Sequence, residues 1–220
     1  MLRSIGYIGF IAIALSSSAI AGPWLREEGK GFLSLSSEFH ISTDVESGIY
    51  AEYGISPNVT ICAKIDMDMG PLGIGDQEAL AFVRLPIGPR DKRWIAAYDL
   101  GLGYHRGDGV NDTVAHLGFS VGRGLSWWGK NGWLVFDAST EQPFGNSNAL
   151  YKIDSTIGLS FHDHWKGMFQ VFLAASEDDT DITLAPSIIW SPKKAKSSYQ
   201  FGLEFEEGRV SARLSLWRDF

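Results

Sequence analysis

The feature that most constrains this chain is a period of two in hydrophobicity, repeated along nearly all of its length after residue 30. In residues 59–69, apolar and polar side chains alternate without a break. Such alternation places apolar side chains on one face of a β-strand and polar side chains on the other. The pattern predicts twelve strands, over residues 31–41, 48–55, 59–69, 77–87, 93–105, 113–123, 132–140, 151–162, 166–176, 181–190, 199–206 and 209–220. Short turns rich in Gly, Pro, Asp and Asn separate most of them, so the sequence predicts an all-β chain.

The first 21 residues have a different character. Arg3 precedes an apolar run over residues 5–15, and Ala19 and Ala21 form a small-x-small pattern. This arrangement is typical of a secretory signal peptide, here cleaved before Gly22. The apolar run is shorter than the roughly 20 residues that a helix needs to cross a bilayer. We therefore expect residues 1–21 to be a signal peptide and residues 22–220 to form a single exported domain.

Alternating strands fit either a soluble β-sandwich or a transmembrane β-barrel, whose apolar face meets lipid. The predicted strands are 8 to 13 residues long, which favours the barrel, because a membrane-crossing strand needs about 9 to 11 residues. Aromatic residues fall near both sets of strand ends, as in the girdles of membrane barrels. Those at one end are Trp94, Phe161, Trp190, Tyr199 and Phe220, and those at the other are Phe39, Tyr104 and Tyr151. A soluble periplasmic sandwich with a binding role is the alternative.

The last predicted strand carries a more specific pattern. Val210, Ala212, Leu214 and Leu216 share one face, and the chain ends on Phe220. This strand resembles the terminal strand of Gram-negative outer-membrane β-barrel proteins, although Arg218 stands where that class has an apolar residue. Together with the twelve alternating segments, the resemblance implies an antiparallel transmembrane β-barrel of about twelve strands in contact with outer-membrane lipid. It also implies that the barrel-assembly machinery recognises the strand ending in Phe220.

In such a barrel the polar face lines the lumen, which is where we expect functional residues. By the alternation it carries eleven acids and four bases. The acids are Glu38, Glu52, Asp66, Asp68, Glu78, Asp99, Asp137, Asp154, Glu204, Glu206 and Asp219, and the bases are Lys64, Arg84, Lys152 and Arg213. An acid-lined path favours cations. The sequence therefore predicts a narrow passive pore that favours cations. Alternatively, these groups pair across the interior and plug it, which would leave a structural surface protein.

Other functions find less support. The net charge of −7 argues against a nucleic-acid partner, and the sequence predicts no cofactor, no metal site and no enzymatic activity. His40 and Ser42 have a spacing that leaves an outer-membrane lipid hydrolase as an alternative. His105 and His116 flank one turn, so a metal-binding pair across a hairpin is geometrically conceivable. We expect residues 141–150 to form a loop.

Overall fold

The structure is a computed structural model that describes residues 22–40, 44–70, 73–90, 92–107, 110–145, 148–177, 179–193 and 195–220. The predicted signal peptide lies outside the described residues and stays a prediction. Within them, the regular structure consists of twelve β-strands. None of the described residues belongs to a helix that is long and apolar enough to cross a membrane.

Each segment predicted from the alternation corresponds to one strand. The strands are β1 (Gly31–His40), β2 (Val45–Ser56), β3 (Val59–Gly70), β4 (Gly73–Ile87), β5 (Ile95–Gly107), β6 (Val110–Trp127), β7 (Lys130–Pro143), β8 (Leu150–His162), β9 (Trp165–Ala175), β10 (Thr180–Trp190), β11 (Ser197–Glu206) and β12 (Arg209–Asp219). The observed strands differ from the predicted ones mainly at their ends, where backbone pairing continues into residues without clear alternation.

The strands form one closed antiparallel barrel in sequence order, with β12 paired to β1. The register of this closing pair aligns Phe32 with Asp219 and His40 with Ser211. Gly31 and Phe220 extend the seam by exchanging backbone hydrogen bonds of 2.8 and 2.9 Å. Closure leaves no sheet edge unpaired. The predicted barrel is confirmed, and the β-sandwich alternative is wrong. We call the end where β1 begins and β12 ends the terminal end, and the opposite end the distal end.

The outer surface of the barrel is apolar. On β8, Ile153 and Ile157 are 53% and 41% exposed, while Asp154 and Thr156 between them point inward. The same alternation holds on the other strands, so large aliphatic and aromatic side chains cover the outside. An outward apolar band around a closed barrel is the arrangement that lipid hydrocarbon requires.

Aromatic side chains cluster on the outside at the terminal end. The Trp190 ring lies 6.2 Å from that of Trp165 and 5.6 Å from that of Tyr199, centroid to centroid. Nearby, the guanidinium of Arg123 lies 5.2 Å from the centre of the Trp94 ring. Such a belt is typical of a membrane–water interface, where aromatic rings and long basic side chains reach polar surroundings.

The predicted loop over residues 141–150 is shorter in the structure. Strand β7 continues to Pro143, because Glu141 pairs in register with His116 of β6 and Leu150 of β8. The prediction was wrong here because the alternation weakens near Thr140, while the neighbouring strands still supply backbone partners. The correction matters for the site, since Glu141 is buried in the interior.

Residues 22–30, which we call the N-terminal segment, enter the barrel interior. Gly29 has a φ of 76° and lies at the turn where the segment reverses into β1, a conformation that glycine adopts without strain. Glu28 forms a parallel bridge with Gly54 of β2. Since β2 runs from the distal to the terminal end, Gly22 lies deeper in the lumen than Glu28. Pro23, Leu25 and Arg26 are buried.

Candidate functional site

The structure places the fourteen charged residues proposed for the lumen on the inner face of the barrel, where they alternate with outward apolar neighbours. They are Glu38, Glu52, Lys64, Asp66, Asp68, Glu78, Arg84, Asp99, Asp137, Lys152, Asp154, Glu204, Glu206 and Arg213. Asp219, the remaining acid of the predicted set, is aligned with inward-facing Phe32. The four predicted bases contact most of these acids in three ion-pair networks, and the other acids lie outside the networks.

The first network lies near the terminal end and centres on Arg84, which is 2% exposed. Its guanidinium donates to both carboxylate oxygens of Asp99, at 3.0 and 2.9 Å, and to Glu52 at 2.7 Å. Glu52 also accepts a hydrogen bond from Arg26 of the N-terminal segment at 2.5 Å and another from the Tyr50 hydroxyl at 2.5 Å. This network ties β2, β4 and β5 to the N-terminal segment.

The second network lies toward the distal end and contains two lysines. Lys64 contacts Asp66 at 2.6 Å and Glu78 at 3.0 Å. Lys152 contacts Glu141 at 2.8 Å and Glu78 at 3.5 Å. Glu78 therefore joins the two lysines across the interior, from β3 through β4 to β8.

The third network involves β1, β11 and β12. Arg213 lies 3.1 Å from Glu38 and 2.6 Å from Glu204. The contact with Glu204 is an ion pair without hydrogen-bond geometry, since neither of the two contacting atoms has a hydrogen-bond partner. Glu38 also accepts a hydrogen bond from Ser211. These contacts hold the closing seam together from inside.

Among the fourteen residues, four acids lie outside these networks, namely Asp68, Asp137, Asp154 and Glu206, of which Glu206 contacts Arg209 at the distal end. Asp137 and Asp154 are directly opposite each other in the β7–β8 register. Both line an interior cavity of about 210 Å³, together with Arg213 and Gln170. Neither carboxylate forms an ion pair with a base of the described residues. Their carboxyl groups therefore face the cavity with no basic side chain in contact.

Part of the interior is apolar, which the sequence did not predict. Six buried residues on the inward face form a core cluster. They are Phe32, Trp133, Val135, Met168, Ile189 and Trp217, with Trp24 of the N-terminal segment packed against them. The Trp133 indole lies over Gly158, where a Cβ would collide with the ring. The terminal end of the lumen is thus packed with side chains.

Among the described residues, sequence reasoning missed two buried charged side chains of the interior. Arg26 lies before the first alternating segment, in a stretch where no period indicates a structure. Glu141 was assigned to a loop. The only available signals were the apolar character of Pro23-Trp24-Leu25, unusual for a solvated tail, and the continued spacing of two from Asp137 to Glu141.

The histidines do not form a metal pair. Within the β5–β6 hairpin, His105 is aligned with Asp112 while His116 is aligned with Gly101, so they lie at different levels. His116 packs against Phe82, with ring centroids 5.0 Å apart. Among the described residues, no three His, Cys, Asp or Glu side chains are grouped so as to hold a metal ion.

Comparisons with solved structures identify the fold. No protein-family model and no curated protein matches the sequence. A KdgM porin has a TM-score of 0.59 at 8% identity, over 86% of this chain and 99% of that chain. A NanC porin has a TM-score of 0.58 at 10% identity, over 84% and 98%. An outer-membrane channel from Pseudomonas putida F1 has a TM-score of 0.51 at 12% identity, over 92% and 99%.

These likenesses show that the chain has the fold of the outer-membrane β-barrel porins, which confirms the class predicted from its last strand. At identities of 12% or less the likeness concerns the fold alone. The function has to be argued from the interior of this barrel.

Proposed function

We propose that this protein is a narrow passive pore of the outer membrane, with its terminal end in the periplasm. The observation that carries the proposal is a closed barrel that is apolar outside and charged inside. A barrel of this kind satisfies its backbone in lipid and lines its bore with groups that favour water and ions. Twelve strands lie between the barrels of about 8 strands that side chains fill and the porins of 16 that leave an aqueous channel.

We further propose that the pore favours cations. Most of the basic charge of the interior is held in contact with acids, as in the Arg84 and Lys152 networks. Asp137 and Asp154 have no such partner and face the cavity. An ionised carboxylate on the wall of a water-filled path lowers the energy of a passing cation and raises that of an anion.

Neutralising this pair is expected to weaken cation preference. At about 5 Å in a medium like water, one wall charge changes the energy of a passing monovalent ion by about 0.8 kcal/mol, downward for a cation and upward for an anion. We expect Asp137→Asn and Asp154→Asn each to lower the cation-to-anion permeability ratio by up to roughly 15-fold, while conduction persists. Reversal potentials in planar bilayers under a salt gradient measure the ratio.

Asp163→Asn is the matched control, because Asp163 is an exposed acid in the turn between β8 and β9. It should leave the reversal potential unchanged. Anion preference in the wild-type protein, or an equal ratio in all variants, would exclude the proposed role of the carboxylate pair. A protein that conducts under no condition would instead be the structural surface protein.

The lipid hydrolase alternative gains no support from the structure. His40 is on the inner face of β1, where its ring bonds Glu46 at 2.9 Å, whereas a hydrolase of membrane lipid needs its site on the outer wall. Ser42 lies outside the described residues. The proposed pore function requires no covalent chemistry.

We propose that the barrel-assembly machinery recognises β12 and Phe220, as the resemblance of this strand implies. Phe220→Ala keeps the backbone bonds to Gly31 but removes the ring that covers Gly31. We expect the amount of heat-modifiable protein in outer-membrane fractions to fall in cells, while refolding into detergent is retained. Equal loss in both settings would mean that Phe220 acts only on stability. Phe205→Ala, on the outer face of β11, is the control.

A further inference from the structure

We infer that the N-terminal segment, residues 22–30, is a displaceable plug that closes the terminal end of the lumen. This inference rests on the proposed pore function and names the element that controls it. Within the described residues, the segment is joined to the barrel wall covalently at one end, through Lys30 and Gly31. Its remaining contacts with the wall are non-covalent, so the segment can leave the interior without unfolding a strand.

The segment crosses the bore from one wall to the opposite one. Arg26 contacts Glu52 of β2 at 2.5 Å, and its backbone N–H donates to the Thr60 hydroxyl of β3 at 2.9 Å. On the other side, Trp24 and Gly22 approach Val135 of β7. In a twelve-stranded barrel β2 and β7 are nearly opposite, so a chain that touches both obstructs the path between them.

Packing holds the plug in place. Pro23 and Leu25 are almost fully buried, and the Arg26 guanidinium lies 4.7 Å from the centre of the Phe32 ring. Releasing the segment would return these apolar groups to water, which is unfavourable. The closed arrangement is therefore the resting one.

The wall carboxylate that contacts the plug keeps other partners when the plug leaves. Glu52 loses Arg26 but keeps Arg84 at 2.7 Å and the Tyr50 hydroxyl at 2.5 Å. No buried carboxylate is stranded, which is the usual cost of breaking a buried ion pair. The backbone ladder of the barrel is also untouched, because the segment contributes only the bonds between Gly29 and Gly54 and between Gly54 and Lys30.

The backbone of the plug packs directly against Gly54 of β2, so a substitution at this position can test the inference. A Cβ at this position would lie 2.7 Å from the Arg26 carbonyl oxygen and closer still to that of Glu27. Both are backbone atoms, so Gly54→Val is expected to expel the segment. Gly124→Val is the matched control, because a Cβ there meets nothing within 4 Å.

The position of the segment is read by thiol labelling. In a Cys62→Ser background, Pro23→Cys places the only thiol in the buried part of the plug. We expect a charged maleimide to label it at least about tenfold faster when Gly54→Val is added, because local opening exposes the site. Gly124→Val should leave the rate unchanged. Arg26→Gln, which removes the contact with Glu52 and leaves Gly54 intact, should give an intermediate rate.

Conductance is measured on the same variants, with heat modifiability as the check for folding. We expect Gly54→Val to conduct more than the wild-type protein and Gly124→Val to match it. Fast labelling of Pro23→Cys in every background would contradict the inference that the segment lies inside the lumen at rest. If Gly54→Val speeds the labelling of Pro23→Cys but conducts no more than the wild-type protein, the segment does not close the path. Absence of conductance in all variants, despite faster labelling in Gly54→Val, would instead overturn the pore function.

Discussion

Arg84→Met is expected to destabilise the folded barrel by about 3–5 kcal/mol, because it leaves buried carboxylates without their partner. Arg84 is 2% exposed and forms the two hydrogen bonds to Asp99 and one to Glu52. Methionine fills a similar volume but donates no hydrogen bond. Asp99 then has no base in contact among the described residues, and Glu52 keeps only Arg26 and the Tyr50 hydroxyl. Urea unfolding in lipid vesicles, followed by tryptophan fluorescence, measures the loss.

The control for this prediction is a solvent-exposed ion pair of arginine and glutamate in the same protein. Arg209 lies 3.5 Å from Glu206 at the distal end, and its side chain is 69% exposed. Arg209→Met should change stability by no more than about 1 kcal/mol, since exposed pairs contribute little. Adding Asp99→Asn to Arg84→Met should recover part of the loss, because a neutral amide is less costly to bury. Equal effects of Arg84→Met and Arg209→Met would show that the Arg84 network is hydrated and does not brace the interior.

Ile157→Arg is expected to cost about 2–4 kcal/mol, because it places a charge near the middle of the hydrocarbon layer. Ile157 lies near the centre of β8 on the outer face, flanked in register by Leu134 and Phe169. Its side chain makes no contribution to the interior networks, so the effect reports on the surroundings of the barrel. The same unfolding measurement in vesicles gives the value.

Phe161→Arg is the depth-matched control. Phe161 is on the same strand and face but close to the turn at the terminal end, and it is 46% exposed. Near the interface an arginine costs only about 0–1 kcal/mol, because its stem lets the charge reach water. A clear difference between the two substitutions supports a barrel whose strands cross the hydrocarbon layer. Two small and equal effects would be expected of a barrel whose outer surface does not meet hydrocarbon.

The strands were predictable because a period of two is a local property. In β3, each residue from Val59 to Met69 alternates faces as soon as the backbone is extended, whatever its neighbours are. The inward positions of Asp66 and Glu204 follow from the same rule. Strand ends were less predictable, since Glu141 is held in β7 by backbone partners on β6 and β8.

The interior contacts were not predictable in the same way. The alternation places Trp217 and Phe32 on the polar face, yet both belong to the buried apolar cluster. It also predicts that Asp99 and Asp137 both face the lumen, but it does not show that Asp99 pairs with Arg84 while Asp137 does not. Which inward groups meet depends on the stagger of the strands and on the width of the closed barrel.

The twelve strands, the faces of their central residues and the class of barrel could be predicted from the sequence alone, because they follow from short-range alternation and from the terminal strand. That residues 22–26 lie in the lumen and that two carboxyl groups face the cavity is known only from the tertiary structure. Arg26 lies 3.5 Å from Asp219, at the opposite end of the chain. No local pattern encodes such a contact, since it exists only after the last strand has closed against the first.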